Sequence, residues 1–266
     1  MKAVVKTITL CFMMSMAVIA GEPLIVAHRG LLRHAPENTL ANFRACLELQ
    51  IGFEFDVEKS RDGHLVCIHD STVDRTTDGQ GRVSDLSLHE LRQLDAGSWF
   101  DPKFAGEKIP TVEEVFQLVA SQHADALIAV DLKAEGIEEQ VVRLAQKHNV
   151  LDRLLFIGRT ITSADVRAAI KQAAKNAHAA AVANDAQEFE KALADPSANW
   201  VYFRFLPTGK QMEAVHADGK KAFIAGPTVS GKLPANWKVC HEVGIDAILT
   251  DFPLELRSVL RERSSR

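Results

Sequence analysis

Cysteine, aromatic residues and positive charge are all scarce in this 266-residue chain, and each scarcity excludes something. Four cysteines, at positions 11, 46, 67 and 240, are too few and too scattered for a disulfide framework. Three of them follow the N-terminal segment, and an odd count of this kind reads as buried free thiols. Aromatics make up only 6% of the chain while Ala, Leu and Val abound, which suits helices on a parallel sheet better than a β-sandwich. Thirty-one Lys and Arg against 35 Asp and Glu leave a net charge of −4, which offers no electrostatic footprint for nucleic acid. Internal repeats, coiled-coil heptads and low-complexity stretches are missing too. What remains is a 47% hydrophobic chain, rich enough for a buried core and therefore not a disordered protein.

The first twenty residues form a pattern of their own. Lys2 and Lys6 precede an apolar run over residues 8–19, and Val18-Ile19-Ala20 offers small residues at the −3 and −1 positions before Gly21. This is the signature of a secretory signal peptide over residues 1–20, which predicts a periplasmic or secreted protein. The run is shorter than the ~20 residues that a membrane anchor needs, so no stable span is expected after cleavage. Gly21 rather than Cys follows the cleavage point, against a lipoprotein. The remainder, residues 21–266, matches the ~250 residues of one large α/β barrel domain.

Periodicity supports that size estimate. Short apolar runs at residues 24–27, 53–57, 127–132, 154–157, 178–182, 200–205, 222–225 and 247–250 predict strands. Amphipathic segments at 39–50, 111–122, 138–149, 163–175, 187–194 and 233–243 predict helices between most of them. Eight parallel-type strands separated by helices predict an α/β (β/α)8 TIM barrel with its site at the carboxyl ends of the strands. A ninth run, 65–68, follows Asp62-Gly63 and predicts a hairpin folding back on the second strand, which brings His69 toward Asp56. Residues 71–110, with a helical piece near 88–94, are too long for an ordinary βα loop and predict a small insertion after that hairpin.

The strand ends carry the chemistry. His28 and Arg29 close the first strand, Glu54 and Asp56 sit two apart on the second, and Asp131 and Lys133 repeat that spacing on the third. Residues two apart on a strand share a face, so these side chains converge. Three carboxylates without clustered cysteines suit Mg²⁺ or Ca²⁺ rather than zinc. An Arg fork and a Lys ammonium suit a phosphate, and two imidazoles, His28 and His69, suit divided acid and base work. Spacing alone leaves phosphodiester hydrolysis and a generic metal site both open. The other histidines lack ligand spacing and are expected on solvated faces. Asn38 and Thr39 read as the cap of the first helix, Asp251 as the turn into the last in preference to a buried rim contact, and Arg159 and Arg204 as surface or structural arginines.

The motifs His28-Arg29-Gly30, Pro36-Glu37-Asn38-Thr39-Leu40, Glu54-Phe55-Asp56-Val57, Asp62-Gly63 and His69-Asp70 together resemble the glycerophosphodiester phosphodiesterases. The similarity continues through Asp74-Arg75-Thr76-Thr77, Ile109-Pro110-Thr111, Asp131-Leu132-Lys133 and Thr250-Asp251-Phe252-Pro253. The resemblance implies His28 and His69 as the acid–base pair, Arg29 and Lys133 as phosphate contacts, and Glu54, Asp56 and Asp131 as metal ligands. Asp131 stands where the family usually has Glu, and Glu37 matches a position that organises the site. It also implies cleavage of a small-molecule glycerophosphodiester into glycerol 3-phosphate and an alcohol, with the insertion covering one side of the site. Gly158-Arg159 and Ala225-Gly226-Pro227 depart from the family's usual strand-end motifs, so the alcohol moiety stays open. Phospholipid or cell-wall polymer as substrate is the nearest alternative. A secreted, non-catalytic binding barrel would have no need of paired imidazoles beside a metal site. A sugar isomerase on the same barrel would have no need of Arg29.

Overall fold

Alternating positions along each strand sort side chains onto two faces, and that sorting places the site. The computed structural model describes residues 21–122 and 126–264; the leader expected at residues 1–20, with Cys11, and His123 lie outside the described residues. The chain runs β1 (Leu24–Ala27), α1 (Leu40–Glu48), β2 (Gly52–Lys59), β3 (Leu65–Cys67), α2 (Leu88–Gln93), α3 (Val112–Ala120), β4 (Ile128–Leu132) and α4 (Glu138–Lys147). It continues with β5 (Leu154–Gly158), α5 (Arg159–Thr162), α6 (Ala164–Ala173), β6 (Ala180–Ala183) and α7 (Phe189–Leu193). The last third holds β7 (Trp200–Phe203), α8 (Gly209–Ala217), β8 (Lys221–Ile224), α9 (Pro234–Val243), β9 (Ala247–Thr250) and α10 (Pro253–Ser264).

Around the sheet the order is β5-β4-β2-β1-β9-β8-β7-β6, all parallel, with β3 off this path and paired antiparallel to β2. A parallel bridge from Phe156 to Ala179, with the Phe156 N–H donating to the His178 carbonyl at 2.9 Å, joins β5 to β6 and closes the ring. The fold is thus the α/β barrel of eight parallel strands that the strand spacing predicts.

β2 shows how the two faces divide. Phe53, Phe55 and Val57 point outward, where Phe43 of α1 stacks on Phe53 and Phe116 of α3 meets Phe55 edge-on. Glu54 and Asp56 therefore face the barrel interior. Much of that interior is packed with Val26, Ala129, Leu155, Trp200, Tyr202 and Phe223, so it is a core and not a pore. Cys46, Cys67 and Cys240 are buried and unbridged, and burial pushes the Cys46 and Cys240 thiols up to about 12.

Two local differences from the sequence prediction have physical causes. The helix expected over 163–175 is α6, and the short α5 just ahead of it has no counterpart in the sequence prediction: Ser163 is extended (φ −111°, ψ 116°), ending α5 while its side chain caps α6. α8 escapes a periodicity search, yet Thr208 and Gln211 form a reciprocal capping box at its start, a signal present in the sequence. Between β3 and α3, α2 and two single 3-10 turns gather around an apolar cluster of their own, including Val73, Val83, Leu91 and Ile109.

Candidate active site

Asp56 of β2 lies directly beside Asp131 of β4 in the strand register, and Glu54 is two residues back on the same face. One carboxylate oxygen from each of the three falls within 4.8 Å of the other two. Glu54 and Asp56 are almost completely buried. Burial, followed by the charges of Asp56 and Asp131, raises the Glu54 pKa well above the ordinary carboxyl range. Burial also raises Asp131, against the opposing charge of Lys133.

Protein cations compensate part of this charge. Lys133 Nζ lies 3.1 Å from both Asp56 Oδ1 and Asp131 Oδ2, and although burial opposes its charge these carboxylates raise its pKa. The Arg29 backbone N–H donates to Glu54 Oε2 at 2.8 Å, from a residue held in the left-handed region (φ +53°). Arg29 Nε approaches Asp56 Oδ2 at 3.7 Å. Asp131 Oδ1 is buried without a hydrogen-bond donor. An all-oxygen donor set with a buried lone pair left over fits a hard divalent cation.

Gly158, at the end of β5, makes room for Asp131. A Cβ there would stand 2.0 Å from Asp131 Oδ1 and under 3 Å from the Leu132 backbone, and the residue has φ +73°. Gly158→Ala is expected to destabilise the fold by about 1–3 kcal/mol through overpacking, measured by urea denaturation, and to weaken cation binding by displacing Asp131.

Two imidazoles stand at the rim, each about one-third exposed. His69 lies one residue beyond the β2–β3 hairpin pairing, where the Ile68 N–H donates to the Asp56 carbonyl. His69 Nδ1 is 2.7 Å from Asp70 Oδ1, and His28 Nδ1 is 2.7 Å from Asp251 Oδ1. The second contact corrects the assignment of Asp251 to a simple turn. β1 pairs with β9 so that Ala27 lies opposite Thr250, and the next residue of each strand meets across the rim. Sequence separation hid the pair, which is 223 residues apart.

Asn38 also departs from its expected role. Thr39 alone caps α1 by accepting from the Asn42 N–H. Asn38 adopts φ +56°, donates from Nδ2 to Asp56 Oδ2 at 2.9 Å, and accepts the Asp56 N–H through Oδ1. Both ends of its amide thus fix one metal-ligand candidate. Glu37 stands outside the carboxylate trio and accepts from Arg29 Nη1 at 3.1 Å and from both terminal nitrogens of Arg75. Burial opposes its ionisation, but the two arginines outweigh that and hold its pKa below the ordinary value. Arg75, singled out in the sequence only as part of a motif, turns out to join Glu37 to Asp70.

A cleft of about 270 Å³ opens beside the trio, lined by His28, Glu54, Asp131, Tyr202, Asp251 and the Ala225-Gly226-Pro227 turn. Arg159 lies to one side, bonded to the Ala134 carbonyl and paired with Glu135, and Arg204 is exposed at the end of β7. Four histidines expected on solvated faces are paired, His148 with Glu113, His178 with Asn199, His64 with Asp62 and His216 with Asp246, and the last two stay exposed as expected.

The closed α/β barrel thus carries at its strand ends an acidic cluster that could hold a metal ion, two carboxylate-held imidazoles and the side chains of Arg29 and Lys133. The profile of the Glycerophosphoryl diester phosphodiesterase family matches residues 28–255, and the chain belongs to that family. It is 45% identical to a glycerophosphodiester phosphodiesterase of Caldanaerobacter subterraneus over 139 residues, covering 50% of this chain and 56% of that protein. With the glycerophosphodiester phosphodiesterase of Bacillus subtilis it shares 36% identity over 149 residues, 52% of this chain and 50% of the other. The chain therefore spans about half the length of these relatives. Whole-fold likeness is broader. A glycerophosphodiester phosphodiesterase of Agrobacterium tumefaciens superposes with a TM-score of 0.74 at 26% identity, covering 89% of this chain and 99% of that one. A phosphodiesterase of Oleispira antarctica, solved with the product sn-glycerol-3-phosphate, gives 0.73 at 27% identity, with coverage of 90% and 97%.

Proposed function

We propose that this protein is a divalent-cation-dependent glycerophosphodiester phosphodiesterase that releases glycerol 3-phosphate and an alcohol. The observation that carries the reading is the pair of imidazoles, each engaged through Nδ1 by a carboxylate, beside a three-carboxylate cluster. Family membership and the glycerol-3-phosphate complex of the Oleispira relative support the same substrate class.

Glu54, Asp56 and Asp131 would hold the cation, Mg²⁺ or Ca²⁺, which when bound supplies charge neutralisation at the phosphoryl oxygens. Arg29 and Lys133 orient the diester phosphate by charge-assisted hydrogen bonds. With Nδ1 occupied, Nε2 of His28 and of His69 is left to handle protons. One imidazole takes a proton from the attacking nucleophile, water or a neighbouring substrate hydroxyl whose cyclic product water then opens, as the new P–O bond forms. The other donates a proton to the alkoxide as the old P–O bond breaks. Glu37 organises this set through Arg29.

Glycerol 3-phosphate release from glycerophosphodiesters with several headgroups, with and without chelator, tests the reading. Activity lost in EDTA and restored by Mg²⁺ or Ca²⁺ is expected. Chelator-insensitive turnover would sink the cation assignment, and no release from any diester would sink the function. Arg29→Ala is expected to lower kcat/KM for the charged diester by about 10-fold or more, as loss of one charge-assisted contact of 1.5–3 kcal/mol requires.

The proposal includes export. A basic start, a short apolar run and a small-residue cleavage site support it, and no described helix is long and apolar enough to cross a membrane. N-terminal sequencing of the protein from a periplasmic or secreted fraction should begin at Gly21. A full-length N-terminus in the cytosol would refute export.

A further inference from the structure

Arg75 makes four hydrogen bonds, and all go to two carboxylates. Nε donates to Asp70 Oδ2 at 2.7 Å and Nη2 to Asp70 Oδ1 at 3.1 Å. Nη1 donates to Glu37 Oε2 at 2.9 Å and Nη2 to Glu37 Oε1 at 2.8 Å. Each carboxylate holds one further group of the site: Asp70 holds His69 through Nδ1, and Glu37 holds the Arg29 guanidinium. An uninterrupted chain His69–Asp70–Arg75–Glu37–Arg29 therefore links the hairpin end to the first strand end.

We propose that Arg75 is a positioning residue that sets the acid–base imidazole and the phosphate-binding guanidinium relative to one another. The proposal rests on the functional reading above, since it assigns Arg75 a purpose through His69 and Arg29. Only a planar fork can grip two carboxylates at once, each with two bonds, and a lysine ammonium cannot reproduce that geometry. Asp70 gripped from one side presents a fixed acceptor on the other. A carboxylate accepts and does not donate, so the shared proton belongs to His69 Nδ1, and in the neutral ring the nitrogen without a proton is Nε2. The Asp70 pKa is held far below the ordinary carboxyl range, first by the bond from Arg75 and also by His69, in keeping with that proton placement. Arg75 is 43% exposed on its side chain, against 11% for Glu37.

The test combines kinetics with a readout independent of activity. Arg75→Met is expected to lower kcat by about 10- to 100-fold, the usual effect of removing an outer partner from a site. Arg75→Lys should recover only part of the loss. In the Asp70→Asn background, Arg75→Met should cost clearly less than it does alone, because its path to His69 is already cut. Long-range ¹H–¹⁵N spectra of the imidazoles should show the Nδ1–H tautomer of His69 in the wild type and a mixture of tautomers in Arg75→Met. A kcat within about twofold of wild type, additive effects in the cycle, or an unchanged His69 tautomer would each overturn the proposal. Should Arg75→Met fail to fold, Arg75→Lys carries the same three measurements. A wild type that hydrolyses no glycerophosphodiester would instead refute the functional reading, and the tautomer spectra would still decide whether Arg75 orients His69.

Discussion

Replacing His69 with alanine is expected to lower kcat for glycerophosphodiester hydrolysis by about 10²- to 10⁴-fold, the usual worth of a positioned acid or base. The fold should survive the change. His69 lies at the rim with about a third of its side chain exposed, and its bond is to its own neighbour Asp70, so no distant element depends on it. Circular dichroism and Tm near wild type, with KM little changed, would assign the loss to proton transfer. His28→Ala should lose activity to a similar degree. Its bond to Asp251 joins the ends of β1 and β9, but four residue pairs in register already hold those strands together, and the pair is partly exposed and contributes little to stability. Near-wild-type turnover in either alanine variant would move the acid–base work to another group.

Exchanging Glu54 for glutamine should raise stability and destroy activity in the same protein. Glu54 is buried beside Asp56 and Asp131, and its pKa in the fold lies well above that of an unfolded carboxyl. A carboxyl with a raised folded pKa stabilises the fold only while protonated. The cost of ionising it begins as pH rises past the unfolded value near 4.3, and is complete once pH exceeds the folded value. At neutral pH, without a bound cation, wild type bears that cost and Glu54→Gln does not. In EDTA the variant's Tm is expected to rise by about 2–4 °C, the shift that ~1 kcal/mol produces in a chain of this size. On the proposed function, removing the charge also removes a cation ligand, and activity should fall by about 10²-fold or more, since a bound cation would contribute several kcal/mol. Wild type should gain Tm on addition of Mg²⁺ or Ca²⁺, less so as pH falls and protons compete for the carboxylates, while the variant's gain is largely lost. An EDTA Tm at or below wild type would refute the repulsion argument. Glu37 carries the opposite sign: its depressed pKa stabilises the fold above the ordinary carboxyl range, and that help is lost as pH falls through the folded value.

Local rules made much of this protein legible. The strand at 24–27 and that at 247–250 match β1 and β9 residue for residue, because apolar runs bounded by turn residues have few alternatives in a barrel. Glu54 with Asp56 and Asp131 with Lys133 could be paired on paper since a two-residue period fixes which face each occupies. The hairpin that brings His69 back to β2 follows from a turn of a few residues around Gly63, where φ is +83°.

The partners of these residues belong to another level. Asp251 reaches His28 only because the barrel closes with β9 against β1, and no local pattern carries that register. Asn38 has a helix cap for a neighbour, and its own left-handed backbone turns the amide away from the helix and onto Asp56. Arg75 meets Glu37 38 residues upstream, across the loop that follows the hairpin. Sequence by itself determined the alternation of strands and helices and the face on which each charged side chain stands, because both follow from the geometry of neighbouring residues. The tertiary structure alone decided which carboxylate holds which imidazole or guanidinium, since hydrogen bonds between distant segments exist only once strand register and barrel closure have brought them within about 3 Å.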